Sequence, residues 1–445
     1  MASTRIYRTS GTPTNRKKFT ISCWLKKSKL SDDMQIVNFY EDASNRTQFS
    51  FNSSDQFDFI VKSGNTNTMR LKTTRVFRDP SAWYHIVMTV DTTQATNTDR
   101  LKVYINGEQN LSANNGFASE TYPSQNADAT VGGTHNIGAY DNGGSPTLYW
   151  DGLLAHLHYT DGYAYAASDF GETDSTSGIW KPKTSPSVTY GTNGFFLKFE
   201  NSGNLDLDSS GNNLSFTTSG TLTQNVDTPT NNFATLNKLS THGSNTLSFG
   251  SLRIAFTANT SYTNSIGTLG INSGRWYVEA KVAGATTYYP CIGFCSMGNN
   301  TRRYYDPLYT AAHLGADEGT GYFAHGNIQK NGSTDGDYAT FTTGDIISMY
   351  LDLESGTKTM KYYKNDSLIR STTITPVAGQ FYTFGATGTS GSDIVDFNFG
   401  SGFFGTTAVT SANADANGFG AFEYSPTLSG VNYYALNTKN IKEFG

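Results

Sequence analysis

Trp83-Tyr-His-Ile-Val-Met-Thr-Val-Asp91, a polar turn and Leu101-Lys-Val-Tyr-Ile-Asn-Gly107 form the stretch on which the fold is decided. Tyr84, Ile86, Met88 and Val90 share one face, and Leu101, Val103 and Ile105 share one on the return. Period-two alternation of aromatic and β-branched residues predicts an antiparallel strand pair buried on one side. The pattern returns at Gly344-Asp-Ile-Ile-Ser-Met-Tyr-Leu-Asp-Leu-Glu354, a Ser-Gly-Thr turn and Lys358-Thr-Met-Lys-Tyr-Tyr-Lys-Asn365. There Ile347, Met349, Leu351 and Leu353 are answered by Met360 and Tyr362. Two such hairpins far apart in one chain predict an all-β protein of two tandem antiparallel β-sandwich domains.

Composition agrees. The chain has 445 residues, too many for one ordinary core. Only 16% are charged, against 45 Gly, 27 Tyr and 28 Phe. Low charge and many turn formers between aromatic strands favour sandwiches over helical folds. A net charge of -5 carries no basic footprint, so no nucleic-acid partner is expected. Three cysteines do not make a disulfide framework. Cys291 and Cys295, four apart along a strand, would stand roughly 13 Å apart, beyond the roughly 7 Å that a bridge spans. They read as small core residues in a chain folded under reducing conditions. No apolar leader and no run long enough to span a bilayer occurs, so no membrane insertion is expected, and the chain is expected to be made and folded in a cytoplasm.

Along the chain, residues 1–18 are polar and end in Asn15-Arg-Lys-Lys18, read as a solvated lead-in strand or as an arm that docks on a partner. Phe19, Ile21, Cys23 and Leu25 then alternate on one face. Further strands are expected at Gln48–Phe51, Phe57–Val61, Met69–Thr73, Leu148–Tyr159 and Gly194–Glu200. Thr173–Ser187, rich in Ser, Thr and Pro, reads as loop. The expected organisation is a first sandwich over 1–200, an ordered connector over 201–239, a second sandwich over 240–404 and a short C-terminal extension over 405–445.

Two family resemblances rest on these residues. Phe19-Thr-Ile-Ser-Cys-Trp24, Trp83-Tyr-His85, Val103-Tyr-Ile-Asn-Gly107 and Trp150-Asp-Gly-Leu-Leu-Ala-His-Leu-His158 resemble the concanavalin-A-like, laminin-G-type jelly roll. Ser273-Gly-Arg-Trp-Tyr-Val-Glu-Ala-Lys281, Cys291-Ile-Gly-Phe294, Phe381-Tyr-Thr-Phe384 and Asp396-Phe-Asn-Phe-Gly400, in that order, resemble a SPRY domain, another β-sandwich. The wording of 201–237 and of Tyr434-Ala-Leu-Asn-Thr-Lys-Asn440 resembles structural proteins of tailed marine bacteriophages. That resemblance implies a virion protein assembled in the host cytoplasm, a tail fibre or appendage or a capsid-surface protein with lectin-like domains; the alternatives are a purely architectural tail or capsid component making protein–protein contacts and a polysaccharide-degrading enzyme. Its partners would be other virion proteins and a host-surface glycan or protein receptor. The absence of coiled-coil heptads points to a compact subunit in a symmetric homo-oligomer on the particle.

Glycoside hydrolysis needs two carboxylates held at fixed separation across the bond. No Glu-x-Asp-x-x-Glu arrangement, Gly-x-Ser-x-Gly elbow, phosphate loop or His-Glu-x-x-His occurs, so the chain is expected not to be an enzyme. Asp206-x-Asp208-x-Ser210-Gly-Asn212 has the oxygen spacing of half a calcium loop, making calcium the one cofactor suggested; Thr217 stands where the bidentate Glu belongs, and an Asx/Gly turn explains the same residues. Asn413-x-Asp415-x-Asn417-Gly418 repeats the spacing with a neutral first ligand. His156 and His158 share a strand face that reads as exposed, and a metal shared about a symmetry axis is the alternative. Trp24, Trp83, Trp150 and Trp276 read as core, and His85 as structural. Tyr140, Arg302, Arg303, Tyr304, Tyr305 and Tyr309 are the candidate ligand-binding residues, because exposed Tyr and Arg dominate interface energetics.

Overall fold

Tyr84–Asp91 and Leu101–Ile105 pair antiparallel with Met88 opposite Val103, and Ile346–Asp352 pairs with Thr359–Lys364 with Met349 opposite Tyr362. These hairpins belong to different units of a computed structural model that describes residues 3–257, 262–297 and 319–444. One unit is Met1–Gln224, the other Asn225–Gly445. The fold is all-β, as expected. The stretch read as a connector is shared out: Thr217–Ser219 pairs with Arg5–Thr9 in the first unit, and Leu236–His242 pairs with Thr263–Gly267 in the second.

Unit 1 is two stacked sheets. The larger runs Phe117–Thr121, Thr66–Val76, Gln56–Ser63, Asn45–Phe51, Met34–Asp42, Thr134–Ile137, Arg5–Thr9 and Thr217–Ser219. The smaller runs Phe195–Leu197, Gly152–Asp161, Lys18–Lys27, Tyr84–Asp91, Leu101–Ile105 and Glu108–Asn110. Phe19, Ile21, Cys23, Leu25, Ile86, Met88, Val90, Leu101, Val103 and Ile105 meet Phe39, Phe49, Phe59 and Leu71 in the core between them. The polar lead-in is therefore a paired strand: Arg5–Thr9 lies between two neighbours, with Ile6 in the core.

The expectation of burial on one side is corrected. His85 and Val87, on the face away from the core, are fully buried. Residues 163–190 lie over that face, where Ala167, Phe170, Tyr165, Trp180 and Val188 pack on Val87 and Tyr104. The Ser/Thr/Pro-rich loop is thus a cover, with Gly171–Thr173 and Trp180–Pro182 as a short strand pair. His158, expected on an exposed face, is buried under the same cover, 3.9 Å from Phe196 between ring centroids and bonded through Nδ1 to Tyr190 Oη at 2.9 Å. Trp24 is buried on this outer face, stacked on His85, rather than between the sheets.

Unit 2 repeats the plan. One sheet orders Leu236–His242, Thr263–Gly267, Tyr382–Gly388, Cys291–Ser296, Thr320–Phe323, Asn327–Lys330 and Ser333–Asp337. The other orders Thr246–Ser248, Arg253–Ala255, Ile394–Asn398, Arg275–Gly284, Ile346–Asp352, Thr359–Lys364 and Ser367–Thr373. Trp276, Val278, Ile347, Met349, Leu351, Met360 and Tyr362 form the core with Ile292, Phe294 and Phe384. Cys291 and Cys295 are both buried. The outer face of the second sheet is again closed, here by the C-terminal extension. Phe422, Tyr433 and Ala435 pack on Tyr277 and Tyr350, and Tyr434–Ala435 adds a parallel bridge to Trp276 and Tyr277.

Glu279 anchors that closure. Its carboxylate, fully buried, accepts from the backbone N–H of Glu423 at 2.9 Å and of Tyr424 at 2.7 Å, from Tyr277 Oη at 2.8 Å and from Asn398 Nδ2 at 3.1 Å. Burial pushes its carboxyl up to about 7, and the four donors hold it from rising further. In unit 1 burial lowers His85 and His135 to about 3 and His158 in the same direction. The two units should therefore respond to pH with opposite sign. Glu279, raised on folding, stabilises below its unfolded value of 4.5, and that stability is lost as pH rises through 7, on the order of 3 kcal/mol in all. The histidines are held neutral, so acid favours unfolding once pH falls below 6.5; His85 and His135 would each withdraw roughly 2 kcal/mol by pH 5. Calorimetry from pH 8 to pH 5 should show unit 1 melting lower and unit 2 melting higher. Glu279→Gln should flatten the second trend and leave the first.

Candidate functional site

The calcium-like residues do not converge on a shared point. Asp208 is buried, and its Oδ1 accepts from the N–H groups of Phe196 at 3.0 Å and Ser210 at 2.9 Å. Its Oδ2 accepts from Ser210 Oγ at 2.9 Å and the Leu214 N–H at 3.0 Å. A carboxylate has about four lone-pair sites, and here each has a donor. Asp206 instead accepts from Thr218 Oγ1 at 2.7 Å, while Asn212 Nδ2 donates to the carbonyls of Gly191 and Gly194. Asp415 repeats the arrangement, accepting from Asn417 and Phe419 N–H on Oδ1 and from Ala435 N–H and Asn440 Nδ2 on Oδ2. Both loops are Asx staples in which backbone N–H groups meet the aspartate oxygens. Among the described residues no three His, Cys, Asp or Glu side chains are grouped to hold a metal.

Ser22 and His85 pair at 2.8 Å in a way that mimics a nucleophile and its base. The Trp180 indole N–H donates to His85 Nδ1 at 3.0 Å, and indole can only donate. The proton therefore rides on Nε2 and points at Ser22 Oγ, so the ring cannot take the hydroxyl proton. Both residues are fully buried. The pair holds the cover down.

Of the residues expected to bind a ligand, Tyr140 is half-buried, bridged to Thr147 and stacked under the Arg46 guanidinium at 5.7 Å. Arg302, Arg303, Tyr304, Tyr305 and Tyr309 lie outside the described residues.

Sequence reading overlooked an open groove of about 730 Å³ in unit 1. Its walls are residues 10–17, which join Arg5–Thr9 to Lys18–Lys27, and Glu41, Asp128, Gly132 and Gly133. The 10–17 loop is fixed from below. Asp161, fully buried at the end of its strand, accepts on Oδ2 from Thr14 N–H at 2.9 Å and Thr14 Oγ1 at 3.1 Å. Asn193 accepts from Gly11 N–H at 2.7 Å and donates to the carbonyls of Gly11 and Thr12. The only sequence signal was the cluster of Gly, Pro and hydroxyl residues at Ser10–Thr14, which reads as a turn. A second hollow, about 560 Å³, lies in unit 2 beneath Thr373–Gln380 and is bordered by Lys358 and Tyr382.

Comparison with known proteins now bears on unit 1. Residues 3–169 match the family model described as the concanavalin A-like lectin/glucanases superfamily, of the laminin-G type. This part of the chain is similar to the concanavalin-A-like jelly roll. Similar solved structures include the SPRY domain of human HERC1, at 16% identity over 36% of this chain and 96% of that one, with a TM-score of 0.30. They also include the native heptameric SAP-like pentraxin from Limulus polyphemus, at 15% identity over 41% of this chain and 87% of that one, TM-score 0.30. A human SPRY domain aligns at 15% identity over 35% of this chain and 94% of that one, TM-score 0.27. No curated protein sequence matches the chain.

Because Asp208 is met by protein donors, Asp208→Ala should lower the stability of unit 1 by roughly 3 kcal/mol, the cost of leaving buried N–H groups unmet. Melting of wild type and variant should be the same in calcium and in chelator. A wild-type melting point that falls with chelator would show that a cation holds the loop.

Proposed function

We propose that this chain is a non-catalytic recognition protein on the exterior of a virion, as part of a tail fibre, tail appendage or capsid surface, and that it contacts a host-surface glycan or protein. The observation that carries the reading is the use made of buried carboxylates. Asp161, Asp208, Glu279 and Asp415 each accept from turn or covering segments, so they serve the scaffold instead of facing a bond to be cleaved. Ser22 and His85, the pair most like a nucleophile and base, are sealed beneath a cover. The concanavalin-A-like match of residues 3–169 supports a lectin-like role for unit 1. The resemblance of 201–237 and 434–440 to phage structural proteins supports the virion, with assembly in the host cytoplasm, other virion proteins as neighbours and a symmetric homo-oligomer on the particle.

Antibodies against the purified chain should decorate the outside of the particle. Soluble chain should bind host cells and reduce phage adsorption in proportion to the sites it occupies. Decoration without competition would mean an architectural role built on protein–protein contacts. Release of reducing ends from host polysaccharide would contradict the non-catalytic reading.

A further inference from the structure

We propose that the groove walled by residues 10–17 and by Glu41, Asp128, Gly132 and Gly133 binds a neutral oligosaccharide; this rests on the glycan-recognition reading above and gives it a place and a ligand class. Four observations converge on it.

Volume is the first. About 730 Å³ lies within the range of small-molecule sites, and the groove is open along one side, which suits a chain of sugar rings.

Charge is the second. The groove has two cations and two carboxylates, already matched: Arg16 Nη1 meets Glu41 Oε1 at 2.6 Å, and Lys17 Nζ meets Asp128 Oδ1 at 3.4 Å. An anionic ligand would have to displace a carboxylate, and a cationic one a lysine or arginine. A neutral ligand with many hydroxyls disturbs neither, because a hydroxyl both donates and accepts and can bridge paired charges.

The third is a close-packed glycine wall, with Gly132 buried and Gly133 half-buried. Gly132 and Gly133 form a wall where side chains are excluded. A Cβ at Gly132 would stand 2.7 Å from Glu41 Oε1, and one at Gly133, at φ +74°, would stand 2.1 Å from the Tyr40 carbonyl oxygen. The bare chain lets Gly132 N–H donate to Glu41 Oε1 at 3.0 Å, which sets that carboxylate between Arg16 and the groove wall.

Rigidity is the fourth. Asp161 and Asn193, both buried, hold the backbone of 11–14 from beneath, and Thr192 N–H donates to Thr14 Oγ1 at 2.7 Å. The Ser10 N–H donates to the Gly133 carbonyl at 2.8 Å, and the Ala129 N–H to that of Arg16 at 2.9 Å, so the two walls are tied together. A preformed groove avoids the ordering penalty that weakens binding by mobile loops.

The test uses the full chain on an array of neutral hexose and N-acetylhexosamine oligosaccharides printed beside sulfated and sialylated counterparts. Thr12→Trp and Asp128→Trp place bulk on opposite walls at exposed positions, so both should fold and melt close to wild type. The expected result is retention of neutral oligosaccharides by wild type and a loss of about tenfold or more in affinity in each variant. Undiminished binding by both variants would overturn the groove and leave glycan recognition standing elsewhere on the chain. Retention of acidic glycans alone would overturn the neutral assignment. A silent array from a protein that still binds host cells would overturn the proposal while leaving a protein receptor; if cells are not bound either, the recognition reading fails with it.

Discussion

A carboxylate taken out of water is stable only when its lone pairs are met, and a chain segment crossing a sheet face must find partners for its own N–H groups. Glu279 solves both needs at once. It stands in the middle of Arg275–Gly284, facing away from the core, and receives the N–H groups of Glu423 and Tyr424 as the C-terminal segment passes over. Without the segment the acid would be an exposed charge among tyrosines; without the acid the segment would bury two unmet donors. The aromatic contacts of Phe422 and Tyr433 with Tyr277 and Tyr350 form around that hold.

Unit 1 reaches the same end with different chemistry. His85 takes the Trp180 indole N–H, and Tyr190 pairs with His158, so imidazoles anchor the cover over the smaller sheet. Asp161 and Asn193 fasten the loop at the edge of the sandwich. Each unit thus buries the outer face of one sheet beneath its own chain, whereas outward residues of unit 1's larger sheet, such as Gln48, Ser50, Ile60 and Arg70, stay half-exposed.

Much of the fold was legible because period-two alternation survives translation into coordinates. The two hairpins, the strand from Phe19 to Leu25 and the inward aromatics all lie where their spacing puts them. The closed outer faces were not legible. His85, Val87, Ser348 and Tyr350 alternate with core residues as solvent-facing residues would, and the segments covering them are rich in Ser, Thr, Gly and Asn. Composition alone reads such segments as loop or extension. One residue did signal it: a Glu within Trp-Tyr-Val-Glu-Ala is out of place on a strand unless something meets it. The groove was hidden for a related reason, since its parts come from the lead-in, the end of Met34–Asp42 and residues 128–133, which no local pattern joins.

Single buried polar groups hold the covering segments in place. Hydrogen exchange at the Glu423 and Tyr424 amides, followed in wild type and in Glu279→Ala, tests it most directly. In wild type these two amides should exchange as slowly as those of Arg275–Gly284. In the variant, protection should fall across 411–437 while the strands beneath keep theirs. Fast exchange at both amides in wild type, or unchanged protection in the variant, would contradict it.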